Sequence, residues 1–284
     1  MTLVAQSTRL LPREEPGAGE AMLDAFESEG IRVLLSACLA GVDQTGGRPM
    51  ALVVQGGANV RISCDRVLLA LGRRARTQNL GVSELGLKTD SAGNLAVDEW
   101  MRTSEPLILA AGDVATSEKL THVAGHMGWL AAFNALFGDV LPVRFDRSAI
   151  PRCVFIAPEV SRVGPTLSEA SAAGIKLEVT RLSFDELDRA LIDKQTSGFV
   201  QVLTRAGTDR IIGATVVGDR AGDLITLFTL AVRHRIGLRK LMPTMAAYPG
   251  WADAARAAGA IWQKDRLPGW LPGFLDDWHR WLRR

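Results

Sequence analysis

Residues 103–115 read TSEPLILAAGDVA: an apolar run that ends in the pair Gly112–Asp113. The preceding stretch completes LAVDEWMRTSEPLILAAGDVA, which predicts two short strands joined through Ser104 to Pro106. A helix is expected to start near Thr121 and run through THVAGHMGWLAAFNALFG, with Gly138 as its stop signal. Taken alone, Gly-Asp after a strand is an ordinary turn. Its flanks decide how it is to be read.

Working back toward the N-terminus, RVLLALG at 66–72 is a nearly continuous apolar run of the kind that sits inside a parallel sheet. Before it, Pro49 to Gln55 and Val60 to Ser63 alternate in polarity, with Gly46, Gly47, Gly56 and Gly57 at the turns, which predicts a β-meander. IRVLLSACLAGV at 31–42 reads as one strand, and TLVAQ at 2–6 as another. Between them Pro16 to Gly30 has helical spacing at Ala21, Met22, Leu23 and Phe26. Strand, helix, strand and meander suggest part of a doubly wound nucleotide-binding domain. Such a domain opens with a strand, a glycine-rich turn and a helix whose amides hold a pyrophosphate, and these 284 residues contain no GxGxxG.

After a charged connection ending in a turn at Asp90 to Asn94, and the strands and helix already described, the pattern changes near Phe145 to Pro151. CVFIA, SRVG, KLEVTRL, GFVQVLT and RIIGATVVG read as separate short strands, with helices at Leu167 to Ala173 and Ala221 to Arg235. The fold class expected is α/β: incomplete doubly wound nucleotide-binding domains followed by an α+β domain.

Composition removes several functions. With 33 Lys and Arg against 31 Asp and Glu, the net charge of +2 gives no broad basic surface for nucleic acid. No apolar run approaches the roughly 20 residues that span a bilayer, and the first residues lack the layout of a signal peptide, so a cytoplasmic location is expected. Cys38, Cys64 and Cys153 are far apart, which leaves no CxxC pair and no metal-ligand cluster. Each is expected to be a small buried hydrophobe.

The flanks of Gly112–Asp113 carry a resemblance. ALGRRARTQNLGVSELGL at 70–87 is similar to the GRxPN link of the pyridine nucleotide-disulfide oxidoreductases, with Ala75 and Arg76 in place of Pro and Asn. SAIPRCVFIAPEVSRVG at 148–164 and GFVQVLTRAGTDRIIGATVVGDRAGDLI at 198–225 resemble that family's entry into its dimerisation domain and its central hairpin. TSEPLILAAGDVA then looks like the flavin motif shared by its dihydrolipoamide dehydrogenase, glutathione reductase and mercuric reductase branches. The resemblance covers about residues 1–260. It implies the C-terminal portion of such a protein, without the N-terminal FAD βαβ unit and the redox dithiol. The domains expected are 1–74 from the NAD(P)-binding domain, 75–148 from the FAD-binding domain, 149–262 for dimerisation, and a Trp-rich amphipathic tail at 263–284.

The resemblance also implies a set of roles. Gly112 lets the backbone approach a ribityl chain and Asp113 accepts a hydrogen bond from it, while Thr121 and His122 open a helix aimed at the flavin, and Arg73 lies on the link. Ala5 stands where members using NAD carry an acid, so Arg9 nearby suits the 2′-phosphate of NADP; Arg9 also reads as a solvated surface residue. YPGWAD at 248–253 aligns with the HPTxxE signature, putting Tyr248 and Asp253 at the His and Glu that act as acid-base catalysts across the dimer. Tyr248 also reads as a packing residue with a satisfied hydroxyl. FAD and NADP are the implied cofactors, both weakly held by these residues alone, and no metal site is expected.

In the tail, Phe274, Leu275, Trp278 and Leu282 share one helical face, with His279 toward solvent. So short a helix must dock, either on its own dimer or at a membrane surface, or stay disordered. The implied partners are a second copy in a homodimer and a separate N-terminal half. Two functions remain open: a piece of a flavoenzyme moving hydride from NADPH through FAD to a disulfide or metal ion, or a dimerisation remnant without chemistry.

Overall fold

The computed structural model describes residues 1–44 and 47–283, so the expected turn residue Gly46 lies outside the described residues. The chain forms two compact units, one of residues 1–65 with 151–284 and one of residues 66–150.

In the first unit β1 (Thr2–Val4) pairs in parallel with β2 (Arg32–Leu34) across α1 (Pro16–Ser28). Pro16 starts α1 because its missing N–H costs nothing in the first turn, and Gly30, at φ +73°, ends it. The predicted single strand at 31–42 is two. Ser36 has φ +51°, a conformation that a strand interior does not tolerate, and its N–H donates to Ser7 O at 2.9 Å. Beyond that kink β3 (Ala37–Asp43), β4 (Met50–Gln55) and β5 (Ala58–Ser63) form the expected antiparallel meander.

The second unit holds the largest departure from expectation. RVLLALG has no regular structure, and Leu68 and Leu71 are 91% and 85% exposed. A parallel strand persists only where neighbours take its backbone hydrogen bonds, and the one parallel pair among the described residues is β1–β2, in the other unit. The two strands expected around Ser104 likewise shrink to single bridges, Thr89 with Leu95 and Arg102 with Leu109. What holds this unit is α2 (Thr121–Phe137), which buries Val123, Met127 and Leu130 against Leu95, Met101 and Phe145. Asn134 completes that face by bonding Trp100 O at 3.1 Å and both backbone groups of Val143 at 2.8 and 2.9 Å.

Back in the first unit β6 (Arg152–Val154), β7 (Val160–Val163), β8 (Leu177–Ser183), β9 (Phe199–Arg205) and β10 (Ile211–Val217) make one antiparallel sheet, ordered β6-β7-β10-β9-β8. In sequence, α3 (Leu167–Ala172) precedes β8 and α4 (Asp188–Asp193) follows it. A capping box of Thr166 and Glu169 starts α3, each side chain meeting the other's backbone amide. After β10 come α5 (Ala221–Arg233), α6 (Leu238–Leu241), α7 (Asp253–Lys264) and α8 (Leu271–Leu282). α5 buries Leu224, Ile225 and Phe228 beneath its polar face. α1 joins this sheet through Ala18, Met22, Phe199 and Val217.

Arg162 on β7 fastens the join. Its guanidinium, 2% exposed, meets Glu14 at 2.6 Å and Glu169 at 3.1 Å and donates to the carbonyls of Gly164 and Arg13. The predicted tail helix is present as α8, with Trp270, Phe274, Trp278 and Trp281 exposed along it and Phe274 stacked on Trp278. No described helix is long and apolar enough to cross a membrane.

Candidate functional site

Gly112 opens a short 3-10 turn, Gly112–Val114, at φ +79°. A Cβ at Gly112 would sit 3.2 Å from Cβ of Ala124 in the first turns of α2, so the missing side chain is what lets turn and helix approach. Lys119 braces the turn from beneath: its ammonium donates to Asp113 O at 2.6 Å, to Asn94 Oδ1 at 2.8 Å and to Thr116 O at 3.2 Å. The Asp113 carboxylate is left half-exposed, facing Arg73 at 3.8 Å. Arg73 also donates to Lys119 O at 3.5 Å. This weak exposed pair orients rather than stabilises.

The first residue of α2, Thr121, is exposed, and His122 beside it is exposed too. Leu120 at the N-cap makes no side-chain cap bond and the first turn carries no acid, so the helix's positive end is not offset by its own residues. Gly112, Asp113, Thr121, His122 and Arg73 are thus together in one unit. The arrangement can accept a hydrogen bond from a hydroxyl at Asp113 and stabilise an electron-rich carbonyl or anion at the helix end. A ribityl chain and flavin pyrimidine fit these demands.

Tyr248 and Asp253 belong to the other unit, and the structure gives each a partner that the signature alone does not name. Tyr248 is 74% exposed and donates its hydroxyl to Asp188 Oδ2 at 3.0 Å. The hydrogen bond to Asp188, then that carboxylate's charge, pushes the phenol above its ordinary pKa. Asp253, at the first position of α7, is held by Arg256 at 2.5 and 2.9 Å. Asp188 stands sixty residues before Tyr248 in an unremarkable acidic stretch, and no spacing links the two.

Arg9 folds back, donating to the carbonyls of Leu11, Pro12 and Glu14 at 3.4, 2.9 and 2.9 Å, and so shapes the loop that presents Glu14 to Arg162. The cysteines correct an expectation. Cys38 is exposed, its sulfur accepting from Gln6 at 3.4 Å, because β3 turns it outward on a meander with one open face. Cys64 and Cys153 are half-buried, and burial pushes the Cys153 thiol up. Among the described residues no group of three His, Cys, Asp or Glu could hold a metal ion.

The sequence profile described as pyridine nucleotide-disulphide oxidoreductase matches residues 1–128, and that of the same family's dimerisation domain matches 150–258. Among curated proteins the chain is 33% identical over 265 residues to a mercuric reductase of Streptomyces lividans, covering 93% of this chain and 55% of that one. It is 32% identical over 262 residues to a dihydrolipoyl dehydrogenase of Chlamydia muridarum, covering 91% and 55%. Among solved structures the LpdA protein of Mycobacterium tuberculosis superposes with a TM-score of 0.83 at 27% identity, over 91% of this chain and 55% of that one. The HOCl-induced flavoprotein disulfide reductase RclA of Escherichia coli, with a TM-score of 0.81 at 21% identity over 92% and 59%, shares the fold. The chain spans about half the length of the curated relatives it matches.

Proposed function

Because the chain belongs to the pyridine nucleotide-disulphide oxidoreductase family, we propose that it is part of an FAD-dependent enzyme that passes hydride from NADPH to a disulfide or metal ion. The observation that carries this reading is the Gly112–Asp113 turn seated on the uncapped amino end of α2. FAD, when bound, supplies the hydride acceptor. Asp113 takes a ribityl hydroxyl, and Thr121 and His122 present the helix end. The test is flavin retention by Asp113→Ala once the site is completed, which is expected to fall.

A second polypeptide segment completes the site in this proposal. Leu68, Leu71 and Leu107 are almost fully exposed in runs that have the composition of buried strands, and Leu136 on α2 is exposed as well. Strands supplied by an N-terminal half, on the same chain or a separate one, would take their hydrogen bonds and cover them. The competing reading, a dimerisation remnant without chemistry, predicts that no added segment confers flavin binding.

The dimerisation-domain match proposes a homodimer. Leu227 and Leu230 on α5, Phe155 and Met245 stay exposed in the first unit, as does the aromatic stripe of α8. Sedimentation at micromolar concentration is expected to give a dimer; a monomer alone would remove the partner active site from Tyr248's reach.

NADPH as donor rests on Ala5 and Arg9. A 2′-phosphate there would have to draw the Arg9 guanidinium from three carbonyls, so the preference is expected to be modest. A higher specificity constant for NADH in the flavin-loaded protein would end the charge argument.

A further inference from the structure

We propose that Asp188 is the positioning residue for Tyr248, and that α4 is the platform on which the loop 248–251 is held. Two side chains of that loop reach α4. The Tyr248 hydroxyl donates to Asp188 at 3.0 Å, and the Trp251 indole N–H donates to Asp193 at 3.2 Å. Five residues along a helix rise about 7.5 Å, and three residues of extended chain span up to about 10 Å. The two acceptors therefore match the two donors in reach.

The platform is itself fixed. Arg189 holds both oxygens of Asp193, while Trp251 packs on the fully buried Phe184 with ring centroids 5.3 Å apart. The loop is therefore anchored at Trp251 and oriented at Tyr248. An exposed phenol would otherwise sample several rotamers, at an entropy cost to any step that needs one of them.

The hydrogen bond also decides what the phenol offers. Its proton points at Asp188, so the oxygen presents lone pairs outward and meets a partner group as an acceptor, from a thiol or an N–H. Asp188 and Asp253 are the charged groups bearing on it, and Arg256 offsets Asp253. Both carboxylates oppose the phenolate, with Asp188 the larger influence. What meets the oxygen rests on the function proposed above. The hydroxyl's placement does not.

Tyr248 is the chain's one tyrosine, so tyrosinate absorbance in the near ultraviolet reads this residue alone. The full chain should titrate above the free-tyrosine value of about 10. Asp188→Asn should return the midpoint toward that value, whereas Asp185→Asn, the same charge change nearby, should move it much less. Because strong alkali can unfold the chain first, a second readout is taken at neutral pH: the Cζ resonance of labelled tyrosine. It should shift in Asp188→Asn and stay in place in Asp185→Asn. An unshifted resonance in Asp188→Asn, or equal shifts in both variants, would overturn the proposal. Since neither measurement needs flavin or substrate, a positive result with no enzymatic activity would separate failure of the functional reading from failure of this one.

Discussion

Purified by itself, the chain is expected to be colourless, and fused to the residues that precede the matched segment in the Streptomyces lividans mercuric reductase it is expected to turn yellow. In the proposed site, Gly112, Asp113 and the amino end of α2 would touch only one end of FAD. The pyrophosphate calls for a glycine-rich turn, and no GxGxxG occurs in these 284 residues. In the fusion, Asp113→Ala should weaken FAD by about 1.5–3 kcal/mol, the scale of one hydrogen bond to a charged group, or roughly 10-fold to 150-fold in Kd. Gly112→Ala should also lose flavin, because its Cβ would press on Ala124 at a φ that disfavours any side chain. Hydrogen exchange supplies a separate check: amides of residues 67–71 should exchange freely in the lone chain and become protected in the fusion. Stoichiometric FAD on the lone chain would contradict the incomplete-site reading. An Asp113→Ala fusion that keeps its flavin would contradict the assignment of the motif.

That exposed segment also shows where reading the sequence stops. An apolar run such as RVLLALG reports that burial is wanted but not what provides it, and strand formation depends on neighbours distant in sequence or on another chain. Helices α1, α5 and α8 were legible because their signals are local: Pro16 and Gly30 bracket α1, and the apolar spacing of α5 and α8 is complete within each segment, whereas α4, α6 and α7 were not read from the sequence. The sheet β6 to β10 was legible strand by strand because each run is flanked by turn residues. Ser36 was not, since nothing in a serine announces a positive φ held by its own amide donating to Ser7 O and the Ala37 amide donating to Ala5 O. At the candidate site, Gly112 and Asp113 are proposed from a motif whose geometry is local. Asp188 was missed because its partnership with Tyr248 is made by the fold across sixty residues.

The largest stability effect is expected at Arg162, a residue no motif marks. Its guanidinium is almost wholly out of water and joins three stretches: β7 itself, the loop of Arg13 and Glu14 before α1, and Glu169 of α3. Replacing it with Met keeps much of the volume but leaves Glu14, whose side chain is 11% exposed, without its cation. Removing one partner of a buried pair costs about 3–5 kcal/mol, most of it from the charge left behind. Chemical denaturation should therefore show Arg162→Met far less stable, and adding Glu14→Leu should recover much of the loss. A single-variant cost below about 1 kcal/mol would place the pair with ordinary surface bridges. Acid should expose the same network. Burial by itself would raise the Glu169 pKa, but the Thr166 amide and the Arg162 charge outweigh it and hold the carboxyl below its ordinary value. A carboxylate depressed in the folded state stabilises it above the unfolded pKa, about 4.3 for Glu, and that contribution disappears as pH falls through the folded value. The wild-type chain should accordingly lose stability as pH drops below about 4, and in Arg162→Met the Glu169 share of that loss should shrink, because one of the two cations that lower its pKa, Arg162 beside Arg152, is gone.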